Sequence, residues 1–111
     1  MKQENFNAIL THFKIILDDI ALIDLSLLTK MKKIYAISGK HTQNKTLLVV
    51  FSFTKSKFLL KNAQNLEKIF FDIKEHSKIT YNESIFFHQA LICSKAKNYL
   101  NSKEITTYAF V

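Results

Sequence analysis

The stretch Thr46–Thr54 constrains the fold more than any other part of the chain, because it is apolar on both sides when extended. One face of such a strand would carry Leu47, Val49, Phe51 and Phe53, and the other would carry Leu48 and Val50. A strand that is apolar on both faces belongs inside a sheet or between two layers. We therefore predict a buried strand here, with Phe51 and Phe53 in the core.

A shorter run before this strand predicts a hairpin. Residues 33–38 read Lys-Ile-Tyr-Ala-Ile-Ser and are followed by Gly39, the single glycine of the chain. Residues 39–45 form a polar connection of about seven residues, which is typical of a hairpin with a longer loop. Residues 57–60 either end the second strand or form a short third strand.

The two ends of the chain follow different periodicities. Apolar residues recur every three or four positions over 5–17, which predicts a helix. The denser apolar stretch 20–28 continues that helix or packs as a second short one. Residues 104–111 alternate in side-chain character, which predicts a terminal strand.

Two more helices are predicted between the hairpin and the terminal strand. Asn62 is placed to cap a helix that ends near His76. Thr80 and Glu83 have the spacing of a capping box, in which a hydroxyl and a carboxylate satisfy each other's backbone donors. They predict the start of the last helix, whose apolar stripe runs over 85–100.

The predicted element order is helix–strand–strand–helix–helix–strand, with no linker, repeat or low-complexity tract between them. We predict a small α+β single domain over residues 1–111, with helices packed over a small, mostly antiparallel sheet. The 111 residues suit one domain, since domains commonly hold about 100–150. The orientation of the terminal strand stays open.

Several protein classes are excluded. The single cysteine, Cys93, rules out an internal disulfide framework and a cysteine-rich zinc site. No run reaches the roughly 20 apolar residues of a membrane span. Asp18 and Asp19 interrupt the apolar stretch that follows Lys14, so a secretory signal is not predicted. We expect a cytoplasmic or organellar protein that is not secreted.

The charge of the chain is concentrated in its middle. No acidic residue lies between Asp24 and Glu67, so residues 25–66 carry +8, while 1–24 carry −2 and 67–111 carry +1. The lysines of this interval are Lys30, Lys32, Lys33, Lys40, Lys45, Lys55, Lys57 and Lys61. Lysines are rarely buried, so a positive potential that attracts polyanions is expected, and nucleic acid is the commonest such partner.

We predict these eight lysines and Tyr35 as nucleic-acid-binding residues, with Tyr35 and Phe58 as exposed rings on which bases could stack. Three alternatives for the lysines stay open. Lysines on an edge strand protect a sheet from aggregation. The abundance of lysine, asparagine, isoleucine and phenylalanine also fits an AT-rich genome, and an acidic protein or an anionic membrane would attract the same charge.

No catalytic residue, metal site or cofactor is predicted. A metal-dependent nuclease would place an acid and then an acid-x-lysine on the hairpin, but the positions before Lys55 that should be acidic hold Ser52 and Phe53. Without carboxylates there is no oxygen site for magnesium. A single glycine argues against a phosphate-cradling loop in the same way.

From these observations we predict a non-enzymatic binding module whose basic hairpin contacts nucleic acid, with RNA or a ribonucleoprotein particle as the first partner to test. The alternative is a protein–protein interaction or assembly subunit. Ten phenylalanines and four tyrosines are a large apolar load that could form an exposed patch and support self-association. A small enzyme with a dispersed site is a third hypothesis.

Overall fold

A computed structural model of the chain describes residues 3–25, 33–41, 45–77 and 79–110. The elements along the chain are α1 (Gln3–His12), β1 (Asp18–Ile23), β2 (Ile34–His41), β3 (Lys45–Ser52), α2 (Leu60–Ser77), β4 (Glu83–His88), α3 (Ser94–Ser102) and β5 (Ile105–Ala109). The prediction of a small α+β fold is confirmed. Among the described residues, no helix is both long and apolar enough to cross a membrane.

The strands form one mixed sheet in the order β1-β2-β3-β4-β5. The pairs β1–β2 and β2–β3 are antiparallel, whereas β3–β4 and β4–β5 are parallel. Val49 of β3 lies at the centre, opposite Ile37 on one side and Ile85 on the other. The predicted hairpin and the predicted terminal strand are confirmed, and that last strand runs parallel to its neighbour.

Helices cover both faces of this sheet, because β3 is apolar on both faces. Leu48 and Val50 pack towards α2 and α3, while Val49 and Phe51 pack towards α1. Residues 47–51 are all buried, which confirms the buried strand. Phe6 of α1 stacks on Phe51 with ring centroids 4.6 Å apart, so α1 is anchored directly on the central strand.

The first helix is shorter than predicted, since it ends at His12. The amide of Ile15 donates to the Leu10 carbonyl at 2.8 Å and that of Lys14 donates to the Thr11 carbonyl at 3.0 Å, with Lys14 at φ 59°. These are the two bonds of a Schellman helix end, in which glycine is the usual left-handed residue. With lysine in that position, the sequence carries no visible stop signal.

The prediction that 20–28 continues this helix or packs as a second short one is wrong for the part that the structure describes. Asp18–Ile23 forms the edge strand β1, paired with β2 through an irregularity between Asp18 and Ala21. Residues 26–28 lie outside the described residues. Pairing with an exposed sheet edge decides the conformation here, because helix and strand periodicity are hard to separate in a short apolar run.

The predicted start of the last helix is also wrong. Glu83–His88 forms the interior strand β4, and the side chains of residues 84–88 are buried between the two helical layers. Glu83 pairs with Lys45 at 3.8 Å instead of closing a capping box. The helix α3 begins later, at Ser94, and the Sγ of Cys93 caps it by accepting the Ala96 amide at 3.4 Å.

The middle helix is confirmed, with a different role for the residue that was expected to cap it. The helix α2 begins at Leu60, so Asn62 lies inside its first turn. The Oδ1 atom of Asn62 accepts a hydrogen bond from the Leu59 amide at 2.9 Å. Asn62 therefore satisfies a backbone donor just before the helix, from a position within the first turn.

Candidate nucleic-acid interface

The predicted lysines of the hairpin lie at its two opposite ends. Lys40 and Lys45 lie at the connection between β2 and β3, where His41 is paired with Lys45. Lys33 lies at the other end, where its carbonyl accepts the Phe53 amide at 2.9 Å. Seven residues of extended strand separate Lys33 from Lys40, a distance of about 23 Å. The predicted lysines therefore do not form one continuous cluster.

Acidic side chains accompany the lysines at the connection end. Lys40 lies 3.9 Å from Asp19, and Lys45 lies 3.8 Å from Glu83. At least half of each of these side chains is exposed, so each pair contributes little to stability. The pairs still reduce the positive potential at this end. Lys30 and Lys32 lie outside the described residues.

The opposite end of the sheet carries lysines on and beside two loops that contain no acidic residue. Here the parallel strands β3 and β4 end, and their loops lead into α2 and α3. We call this region the basic end and define it by the exposed residues Lys33, Lys55, Lys57, Lys61 and Lys95. Neither 53–66 nor 89–103 contains an acidic residue. The positive charge predicted from the sequence is therefore least compensated at this end.

The two loops of the basic end are joined to each other. The Phe58 amide donates to the Leu91 carbonyl at 2.8 Å, and the Cys93 amide donates to the Phe58 carbonyl at 3.0 Å. These bonds form a parallel bridge between Phe58 and Ile92. Phe58 is buried in the core, so the prediction that its ring is exposed is wrong. The bridge holds the two loops one strand spacing apart, about 4.8 Å.

The amino ends of two helices add to the positive potential. Both α2 and α3 begin at the basic end, and neither has an acidic residue in its first turn. An acidic side chain at that position normally offsets the positive end of the helix dipole. Lys61 and Lys95, each the second residue of its helix, increase the positive charge instead. This arrangement favours an anion at the surface.

Tyr35 is placed differently from the prediction. Its ring is half-buried on the α1 side of the sheet, with centroids 5.9 Å from Phe6 and 5.8 Å from Phe53. Phe51 is fully buried, as predicted, and Phe53 packs against the same cluster. These aromatic rings mainly build the core, and little of the Tyr35 ring is available to a base.

The strand ends at the basic end carry polar side chains without carboxylates. Ser52 and His88 are paired across β3 and β4, and both are buried. The Ser52 Oγ lies 3.2 Å from the Thr54 Oγ1, and the Nδ1–H of His88 donates to the Ala90 carbonyl at 2.8 Å. The donor has to be Nδ1, because a carbonyl can only accept.

This set of side chains does not fit a metal centre. Nucleases that use metal ions hold them with oxygen-rich ligands, chiefly carboxylates. Neither β2 nor β3 contains an acidic residue. Within the described ranges, no three or more His, Cys, Asp or Glu side chains come together in a way that could hold a metal ion.

Sequence reasoning missed Lys95 of the basic end and the exposed residues Leu59 and Leu91 of its loops. The prediction of one long helix over 85–100 includes Leu91 and Lys95, whereas the structure places Leu91 in a loop and Lys95 at a helix start. The available signal was the uncharged apolar run at 85–87, which is typical of a strand buried on both faces. A helix beginning after such a strand would place Leu91 and Lys95 beside the β3–α2 loop.

Comparison with known proteins shows a likeness in fold. No protein-family model and no curated protein matches the chain. The solved structure of EndoMS in its apo form is similar with a TM-score of 0.60 and 12% identity, over 99% of this chain and 46% of that one. A repair endonuclease from Pyrococcus abyssi is similar with a TM-score of 0.57 and 12% identity, over 99% and 47%. The chain thus spans just under half the length of either neighbour.

This likeness contradicts the predicted function. The fold is shared with EndoMS and with a protein described as a repair endonuclease, and not with a known RNA-binding module. The prediction of a non-enzymatic module that binds RNA is therefore wrong, and the likeness gives no support to the alternative of an assembly subunit. A nucleic-acid partner is compatible with both neighbours.

Proposed function

We propose that this chain acts in DNA processing, as a nuclease-like domain that holds the phosphate backbone of DNA at its basic end. The observation that carries the proposal is the position of exposed lysines on and beside the acid-free loops where the parallel strands β3 and β4 end. Ligands of open α/β sheets commonly bind beyond the carboxyl ends of the strands, which is where these lysines lie. The likeness in fold to a repair endonuclease supports DNA as the polyanion to be tested first.

The chemistry of the lysines indicates how the DNA is held. All basic residues of the chain are lysine, and a lysine ammonium is a compact point charge without the planar fork with which arginine grips a guanine edge. Contacts of this kind neutralise phosphates and position the duplex without reading its sequence. We therefore expect binding that depends strongly on salt and weakly on base sequence.

The remaining predicted contacts have unequal places in this proposal. Lys40 and Lys45 contribute less, because Asp19 and Glu83 lie beside them. Lys30 and Lys32 stay predicted contacts, since their places are not described.

A protein that acts on DNA also belongs in a compartment that contains DNA, in agreement with the expected cytoplasmic or organellar location.

Two double variants of the same hairpin test the proposal. Fluorescence anisotropy of a labelled duplex DNA is measured with Lys55→Gln/Lys57→Gln and with Lys40→Gln/Lys45→Gln, between about 50 and 200 mM salt. The first pair should bind several-fold more weakly and should lower the slope of log affinity against log salt by about one for each lysine–phosphate pair removed. The second pair should change both quantities much less.

The same measurement with an RNA duplex of equal length shows whether the chain binds DNA in preference to RNA. The proposal is overturned if the wild-type chain does not bind DNA at low salt, or if it binds the RNA and not the DNA. Equal weakening by the two double variants would also overturn it, since the basic end would then have no special part in binding.

A further inference from the structure

Two leucines at the basic end project into solvent. Leu91 is 80% exposed, the largest value among the large apolar side chains of the described residues, and Leu59 is 51% exposed. They lie beside the bridge between Phe58 and Ile92, one on each of the two joined loops. An isolated exposed leucine is ordinary on a protein surface. Leu59 and Leu91 stand on adjoining loops that, with the helix starts following them, also carry Lys57, Lys61 and Lys95, and we call the two leucines the apolar patch.

The backbone explains why these side chains point outwards. Side chains alternate between the two faces of extended backbone. Because Phe58 is buried and Ile92 packs against the same core, their neighbours Leu59 and Leu91 face the opposite way. Lys57 shares this outward side and is exposed as well. The hydrogen bonds of the bridge hold the leucines in place without any ligand.

We propose that Leu91 and Leu59 contact the bases of the DNA that the lysines hold, as an apolar wedge placed against an unstacked base step. This proposal rests on the proposed function and adds residues that touch bases to those that touch phosphates. Proteins that insert apolar side chains between base steps pair them with cations on the flanking phosphates. Lys57 precedes Phe58, and Lys61 and Lys95 follow the leucines by two and four residues, which supplies that pairing.

The charge around the patch favours nucleic acid over the other surfaces that a leucine could enter. The two loops that carry the leucines, within 53–66 and 89–103, contain no acidic residue, so a basic protein would find no opposite charge there. An anionic membrane would accept the same charges, but two leucine side chains carry far fewer apolar carbons than a myristoyl chain, which alone anchors a protein only marginally. Nucleic-acid bases supply apolar surface next to the phosphates that the lysines would hold.

The absence of tryptophan from the chain allows a direct test. The variant Leu91→Trp carries a single indole in the patch, and Leu22→Trp carries one at a comparably exposed position, since Leu22 is 59% exposed on β1. Duplex DNA should quench the fluorescence of the first indole at least twofold, because it stacks on bases, and should leave that of the second nearly unchanged. No quenching, or equal quenching in the two variants, would overturn the proposal.

Truncation to alanine gives an independent measurement. The variant Leu59→Ala/Leu91→Ala should bind DNA three- to tenfold more weakly with the salt slope unchanged, because leucine releases no counterions. The variant Leu22→Ala should bind like the wild type. A duplex with 2-aminopurine should show less increase in fluorescence with the double variant than with the wild type. Unchanged affinity and unchanged 2-aminopurine signal would overturn the inference.

The design separates failure of this inference from failure of the proposed function. If the lysine variants lose DNA binding and the leucine variants do not, the phosphate interface stands and the wedge is wrong. If the wild type binds no DNA, the proposed function fails as well. Sedimentation with vesicles of phosphatidylserine and phosphatidylcholine completes the test, since a decrease confined to vesicle binding in Leu59→Ala/Leu91→Ala would assign the patch to membranes.

Discussion

At the scale of single residues, the one glycine of the chain serves a close approach and not a turn. Gly39 lies within β2, and a Cβ built on it would come within 3.0 Å of both the Cβ and the Cδ1 of Leu17. Among the described residues, the left-handed positions are taken instead by Lys14, Asp19, Lys33 and Glu104. Each of these residues pays a conformational cost that a glycine would avoid.

We expect Gly39→Ala to destabilise the protein by about 1–3 kcal/mol, because the Cβ of Leu17 is fixed by its backbone and cannot swing away. Urea denaturation followed by circular dichroism measures the change. Replacing Leu17 by alanine in the same background should recover part of the stability, although Leu17→Ala alone should be destabilising. Equal stability of Gly39→Ala and the wild type would show that Leu17 and β2 separate easily at this point.

At the scale of elements, the sequence predicts the helices and strands whose buried faces follow from the spacing of their own apolar residues. The strand β3 was predictable from its two apolar faces, and α2 from its single apolar stripe. The strands β1 and β4 were not predictable from the sequence, because their extended conformation depends on pairing with neighbouring strands. For β4, Ile85, Phe86 and Phe87 fit a helix stripe or a doubly buried strand equally well until β3 and β5 are in place.

The candidate site was predictable to a similar degree. The absence of acidic residues around the hairpin predicts a concentration of positive charge in this part of the chain. It could not show that the hairpin divides its lysines between two ends, since the positions of Asp19 and Glu83 depend on how β1 and β4 pair. It also could not show that the loop before α2 and the loop before α3 are joined, because the bridge between Phe58 and Ile92 forms only in the folded sheet.

The carboxyl end of β3 carries a prediction about metal ions. By the acid-x-lysine spacing before Lys55, Ser52 and Phe53 hold the positions expected for carboxylates, so we expect that divalent ions do not tighten DNA binding. Anisotropy titrations in EDTA and in magnesium chloride, at matched ionic strength, should give magnesium affinities that are equal or weaker. Magnesium should likewise not induce cleavage of a labelled duplex. A magnesium-dependent rise in affinity or cleavage would contradict this interpretation of β3.

At the scale of the whole molecule, one sheet serves two cores. The cluster on the α1 side and the cluster under α2 and α3 share the strands β2, β3 and β4, whose side chains alternate between them. Disruption of either cluster therefore exposes the back of the strands that support the other. Because the two clusters share these strands, the prediction that residues 1–111 form one domain can be tested by whether the two clusters unfold together.

We expect a single cooperative unfolding transition for the chain. Differential scanning calorimetry should give a calorimetric enthalpy equal to the van't Hoff enthalpy, and tyrosine fluorescence and far-ultraviolet circular dichroism should report the same midpoint. Two separate transitions, or a calorimetric enthalpy well above the van't Hoff value, would indicate that the layers melt independently and that the one-domain prediction fails.

The change of strand direction at β3 has a consequence for how the chain reaches its native state. The hairpin β2–β3 closes over a short separation in sequence, while β4 can pair with β3 only after the chain has travelled through α2 and returned. Closing the larger loop costs more entropy and slows non-local pairing. We therefore expect refolding to begin at the hairpin, with the parallel half, and the basic surface between its loops, assembled last.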